Sequence, residues 1–187
     1  MIDENEQRIH MELMVYTHIW ESKPFLKKLF RVAKAAKGEI YNWKVSVPEM
    51  GKHDFIRNDI RKTLEDCNCN LSEIIKKGFH TSLRNAFAHS EYYFDKVLND
   101  KKIHLDNYKG NNWELREISF HDWSIRFIYS ALLSYHLYDC INKCRKNLVV
   151  DFRTNIFSIE QPTRDELSIR NVLLEYNENQ DIFRFKK

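Results

Sequence analysis

Apolar residues recur with a helical period along most of the chain. From about Asn5 to Trp20, the side chains Ile9, Leu13, Tyr16 and Ile19 or Trp20 fall on one face, which predicts an amphipathic helix. Ser22 reads as an N-cap with Pro24 in the first turn of a second helix that runs to Gly38 and gathers Phe25, Leu26, Leu29, Phe30 and Ala33 on one arc. The pattern dissolves between Glu39 and Lys52, where Pro48 and Gly51 mark a loop. A third helix is predicted from Asp54 to Asp66 through Phe55, Ile56, Ile60 and Leu64, and another from Leu71 to about Ser90 with a break near Gly78. Between Tyr92 and Phe120 the pattern shortens to β-like pieces, Tyr92 to Leu98, Ile103 to Tyr108 and Trp113 to Phe120, read as a small hairpin or an ordered loop. The strongest helix follows, His121 to Asn147. Its wide stripe of Trp123, Phe127, Ile128, Ala131, Leu132, Tyr135, Tyr138 and Ile141 belongs at the centre of a bundle. Beyond Asp151, Asn171 to Tyr176 and Asp181 to Phe185 suggest a C-terminal β-hairpin across Asn177 to Gln180.

Composition supports a mainly α protein. The 187 residues include only four glycines and three prolines, too few for a turn-rich sandwich. One domain is expected, with a core bundle at about 54–147, N-terminal helices at 5–38 and a C-terminal appendage at 151–187. Gly38, Gly51, Gly78 and Gly110 lie too far apart for a phosphate-cradling loop, which disfavours P-loop or dinucleotide chemistry. No leader pattern or membrane-length apolar run is present, so a cytoplasmic protein without a membrane partner is expected. Cys67, Cys69, Cys140 and Cys144 then read as reduced thiols. His136, Cys140 and Cys144 share a helix face, but neither they nor the Cys67/Cys69 pair match a zinc-ribbon or knuckle spacing, so no metal and no cofactor is expected.

The net charge of +3 says little in total; its distribution says more. Asp3, Glu4 and Glu6 open the chain with acid, whereas Lys23, Lys27, Lys28, Arg31, Lys34 and Lys37 run without an intervening carboxylate. That run is a solvated helix face, a surface for a polyanion or a helix lying on a membrane surface.

Candidate chemistry concentrates in Leu83-Arg84-Asn85-Ala86-Phe87-Ala88-His89-Ser90-Glu91-Tyr92. On a helix, Leu83, Ala86, Phe87 and Ser90 share the core-facing arc, and Arg84, Asn85, Ala88 and His89 share the opposite one. An imidazole, a guanidinium and a carboxamide around a small residue suit RNA cleavage without a metal. Histidine exchanges a proton near neutrality, arginine offers a fixed fork to the charge on a phosphorane, and Asn85 orients one or the other. One histidine does not readily serve as both acid and base, so a second copy of the site in a homodimer would complete it. A second Arg/His pair, Arg116 and His121, falls at a helix start where His121 and Asp122 resemble capping residues.

The ten-residue string resembles the signature of the HEPN superfamily, the higher-eukaryote and prokaryote nucleotide-binding domains. Their motif is Arg, four to six residues, then His, often with Asn directly after the Arg. The resemblance is specific over Leu83 to Tyr92 and extends loosely over Asp54 to Asn147. It implies a HEPN-like helical bundle, a homodimer with a composite active site, and metal-independent endoribonuclease activity in toxin–antitoxin or phage-defence settings, with an antitoxin or sensor as a further partner. Arg84, Asn85 and His89 then take the catalytic positions. Lys76, Lys77 and His80, just upstream, are candidates for steering the RNA backbone, and Tyr92, Tyr93, Trp43 and Trp113 for stacking on bases. The alternative within the same resemblance is a non-catalytic module that binds RNA or nucleotides or dimerises. Family members silenced by adenylylation carry Tyr two residues after the His; Glu91 stands there in this chain and Tyr92 one place later, so that regulation is not expected.

Overall fold

The computed structural model describes residues 4–39, 45–95, 101–162 and 168–186. Asp3, Trp43 and the end of the predicted Tyr92 to Leu98 strand lie outside them. The protein is mainly helical with two small antiparallel sheets, and it divides into two compact units, Met1–Ser134 and Tyr135–Lys187.

In the first unit, α1 (Glu4–Glu21) buries Ile9, Leu13, Tyr16, Ile19 and Trp20, the face its sequence period predicts. Ser22 Oγ accepts from the Phe25 N–H at 3.4 Å and starts α2 (Lys23–Ala36), which buries Phe25, Leu26, Leu29 and Ala33. The chain ends that helix through Gly38 at φ +76°. The third predicted helix forms as α3 (Lys52–Asp54), a π-helical stretch (Phe55–Arg61) and α4 (Lys62–Asp66), with Phe55, Ile56, Ile60 and Leu64 buried.

The break near Gly78 is present, and the close approach of Ser130 requires glycine at that position. Helix α5 (Leu71–Gly78) ends where a Cβ on Gly78 would meet Ser130 Oγ at 3.0 Å and the Ser130 backbone nitrogen at 3.3 Å. Phe79 then turns extended, and α6 (Thr81–His89) begins. In α6 Leu83, Ala86 and Phe87 are buried, and the Phe87 ring lies 5.1 Å from Trp123 and 5.9 Å from Tyr16, centroid to centroid. Burying a phenylalanine in such a cluster is worth about 3–5 kcal/mol against alanine. That anchor fixes which face of α6 turns away from the core.

Strands β1 (Tyr92–Tyr93), β2 (Lys102–Leu105) and β3 (Glu117–Ser119) pair antiparallel in that order, with Tyr92 opposite Leu105 and Ile103 opposite Ile118. Helix α7 (Phe120–Phe152) follows. Its cap is Ser119 rather than His121 or Asp122. Ser119 Oγ accepts from the Asp122 N–H at 3.0 Å and donates to Asp122 Oδ2 at 2.6 Å, a reciprocal capping arrangement that periodicity alone does not locate.

The apolar stripe of α7 is only partly covered. Trp123, Ser130, Leu133 and Leu137 are buried, whereas Ile128, Leu132, Tyr135 and Tyr138 are exposed. The stripe is wider than the surface that covers it, so it is not the fully enclosed bundle centre its sequence suggested.

In the second unit, which includes the later part of α7, strands β4 (Ile156–Pro162), β5 (Ile169–Asn177) and β6 (Ile182–Phe185) form an antiparallel sheet in sequence order. The expected hairpin is present as β5 and β6, with Tyr176 opposite Phe183, and β4 adds a third strand. Among the described residues no helix is long and apolar enough to cross a membrane.

Candidate functional site

Helix α6 carries the candidate motif, and its two ends are built differently. At the start, His80 is extended, at φ −143°, and caps the helix. Its Nδ1 accepts from the Ser82 N–H at 3.2 Å while its own N–H donates to the Tyr16 hydroxyl at 3.0 Å. Burial, with Arg126 and Arg57 nearby, pushes its pKa down to about 4. At neutral pH His80 is therefore an uncharged cap and brings no positive charge to an RNA backbone.

At the other end, Arg84, Asn85 and His89 all line one cleft of about 870 Å³. His89 is exposed, in the last helical position, and its ring makes no hydrogen bond among the described residues. Ser90 follows as the C-cap in the left-handed region, at φ +57°, so it leaves the helix instead of joining the buried arc. Ala88 is exposed, as its place on the outer arc requires.

Arg84 is only 14% exposed and is held on both sides. Nη1 donates to Asn85 Oδ1 at 2.7 Å, and Nη2 forms an ion pair with Glu21 Oε1 at the end of α1. Glu21 Oε2 in turn accepts from Lys52 Nζ at 2.6 Å. One carboxylate thus sits between two cations, and the trio keeps one positive charge. The Arg84–Glu21 contact is ionic without hydrogen-bond alignment, and Arg84 Nε is buried without a partner. Asn107, also on the lining, has Oδ1 buried without a partner while its Nδ2 donates to the Ser82 carbonyl at 2.9 Å.

The rest of the lining is acidic. Four carboxylates, Glu49, Glu91, Asp106 and Glu114, share it with two fixed cations, Arg84 and Lys109, and with the imidazoles of His53 and His89. Glu49 pairs with Lys23. Glu114 accepts from the Lys109 N–H at 2.7 Å, the Asn111 N–H at 3.2 Å and Asn111 Nδ2 at 3.0 Å, and these bonds hold its carboxyl below the usual range. Glu91 and Asp106 have no ion pair among the described residues, and the Asp106 N–H donates to the Glu91 carbonyl at 2.9 Å, which makes the two neighbours.

The remaining sequence candidates lie elsewhere. Lys76 is exposed on α5, 3.8 Å from Glu73, and Lys77 Nζ sits 5.3 Å from the Tyr129 ring centroid. Tyr92 packs its ring 5.3 Å from Phe87 and pairs its hydroxyl with His10 Nδ1 at 2.9 Å. Burial raises the pKa of that hydroxyl. None of the three lines the cleft. On α2, Lys23, Lys34 and Lys37 are paired with Glu49 or Glu39. Trp113 does line the cleft. Glu21, Lys52 and Asp106 carry no sequence signal beyond polar character beside a helix end or a strand end, and Glu91, although inside the ten-residue string, carries none for a place on the cleft.

Cys67 and Cys69 are half-buried, Cys140 and Cys144 exposed, and all four are free thiols. Among the described residues no group of three or more His, Cys, Asp or Glu side chains is placed to hold a metal ion. Comparison of the chain with protein families, with curated proteins and with solved structures finds no match.

Proposed function

We propose that the protein is a metal-independent endoribonuclease of HEPN type that works as a homodimer. The observation that carries this reading is the convergence of Arg84, Asn85 and His89 on one open cleft, with the His89 imidazole exposed and unengaged. His89 takes the proton of a ribose 2′-OH, whose oxygen attacks the adjacent phosphorus. The P–O5′ bond breaks, leaving a 2′,3′-cyclic phosphate on one product. The departing 5′ oxygen takes a proton from His89 of the partner subunit and becomes a 5′-OH. Arg84, preset by Glu21 and Asn85, meets the charge that builds on the phosphorane. The exposed methyl of Ala88 lets a second copy approach the motif closely. A toxin–antitoxin or phage-defence role, with an antitoxin or sensor as partner, follows from the resemblance of the motif and stands with it.

A second reading is a HEPN-like module that binds RNA or nucleotides, or dimerises, without cleaving; within it the acidic lining, which repels phosphate, favours dimerisation. Incubation with RNA in EDTA separates the two. The nuclease reading expects fragments ending in cyclic phosphate and 5′-OH, lost in His89→Ala and Arg84→Ala. Intact RNA with the parent protein, or fragments that persist in both variants, contradicts it.

A further inference from the structure

The cleft combines two opposite chemistries. Arg84 and His89 suit an anion, yet Glu91 and Asp106, backbone neighbours with no ion pair among the described residues, would repel one. A bare polyanion satisfies only half of this lining. A nucleotide satisfies both, because it carries a phosphate and, on its base, a row of N–H donors.

Trp113 supplies the third requirement, a surface for the base. The residue is 55% exposed and lines the cleft on the turn between β2 and β3. That turn is braced: Glu114 takes the three N–H bonds described above, the Leu115 N–H donates to Ser82 Oγ at 3.2 Å, and Asn107 Nδ2 donates to the Ser82 carbonyl at 2.9 Å. Both flanks of the turn are thus tied to the first turn of α6. An aromatic ring presented to water on a tethered turn is preorganised for stacking, which lowers the entropic cost of binding.

We propose that Trp113, Glu91 and Asp106 form a base subsite for an unstacked nucleotide of single-stranded RNA, and that it prefers guanine. The proposal rests on the RNA reading of the cleft. Guanine places N1–H and N2–H side by side, where a carboxylate accepts both. Uracil offers one N3–H flanked by two carbonyls that a carboxylate repels.

The test measures binding of two 2′-O-methyl RNA pentamers, one with a single central guanosine and one all uridine, beside GMP and UMP, by tryptophan emission and by titration calorimetry. The guanosine pentamer is expected to bind about tenfold or more tightly than the uridine pentamer, the size of one good carboxylate-to-base contact. Trp113→Ala should weaken it roughly 10- to 100-fold, the usual effect of a lost stacking platform, and Trp113→Phe should restore most of the affinity without the emission change. The double variant Glu91→Gln/Asp106→Asn should bind both pentamers alike. Equal binding of the two pentamers by the parent, no binding of either, or parent-like affinity in Trp113→Ala would overturn the subsite. GMP binding as tightly as the guanosine pentamer would overturn its assignment to an RNA strand.

Cleavage of unmodified RNA is followed in parallel. Guanosine preference without cleavage supports the subsite and sinks the endoribonuclease. Cleavage by the parent with no base preference and no effect of Trp113→Ala does the reverse.

Discussion

The two ends of α6 each carry a histidine, and the fold treats them in opposite ways. His80 is enclosed between Tyr16 and the helix it caps, with its pKa pushed down to about 4, so its chemistry is spent on structure. His89 closes the same helix in the open, on a cleft shared with Arg84 and Asn85, with no protein partner for its ring among the described residues. Residue type does not distinguish them; surroundings do. An imidazole built into a cap stabilises the fold, and one left free beside a guanidinium is available to a substrate.

The comparison breaks most visibly at His89. His89→Ala is expected to lower RNA cleavage by about 10²–10⁴-fold, the usual contribution of a positioned acid or base. Its unfolding free energy should stay within about 0.5 kcal/mol of the parent, since the side chain is exposed and unbonded. His80→Asn keeps a capping acceptor and should leave cleavage in place.

The next effect belongs to His80 and to pH. The unfolded chain takes up a proton on this residue near pH 6.5, whereas the folded chain resists until about pH 4. Stability therefore rises with pH across that window. The contribution is complete above pH 6.5 and lost below pH 4, and it amounts to something on the order of 3 kcal/mol. Urea unfolding of the parent between pH 4 and 7 should show this slope, and His80→Asn should flatten it.

Glu21 tests whether Arg84 is usefully held. Glu21→Gln removes the charge that fixes the guanidinium while preserving the side chain's shape. Cleavage should fall about tenfold through loss of positioning, while the affinity for single-stranded RNA, read by titration calorimetry, should rise because two cations lose their counterion. An unchanged cleavage rate would show that Arg84 needs no clamp. The smallest effect lies away from the cleft: Ser119→Ala should cost about 1 kcal/mol of stability through the lost α7 cap and leave cleavage untouched.

Much of this could be read along the chain. The apolar periods of α1 and α2, the Ser22 cap, the break at Gly78 and the outward arc of α6 all follow from local chemistry, and the structure places them where that chemistry requires. Ile128 and Leu132 on α7 were not legible in the same way. Periodicity reports that a helix face is apolar, but not whether a neighbour exists to cover it. The role of His80 was hidden because a capping imidazole and a solvated one look alike in sequence.

The cleft was legible only at its α6 wall. Glu21 and Asp106 come from a helix end and a turn that packing brings to the motif, and no spacing rule connects them; Trp113 was a stacking candidate by residue type, but its place beside the motif was not readable. Lys23, Lys34 and Lys37 of the basic run are paired with Glu49 or Glu39, and the cleft lining holds more carboxylates than fixed cations.

One assay reaches the central claim directly: single-stranded RNA incubated in EDTA with the parent, His89→Ala and His80→Asn at equal concentration, above pH 6.5, where His80 is uncharged. Cleavage is expected from the parent and from His80→Asn, and none above background from His89→Ala. Cleavage that survives in His89→Ala, or that vanishes only in His80→Asn, would contradict that claim.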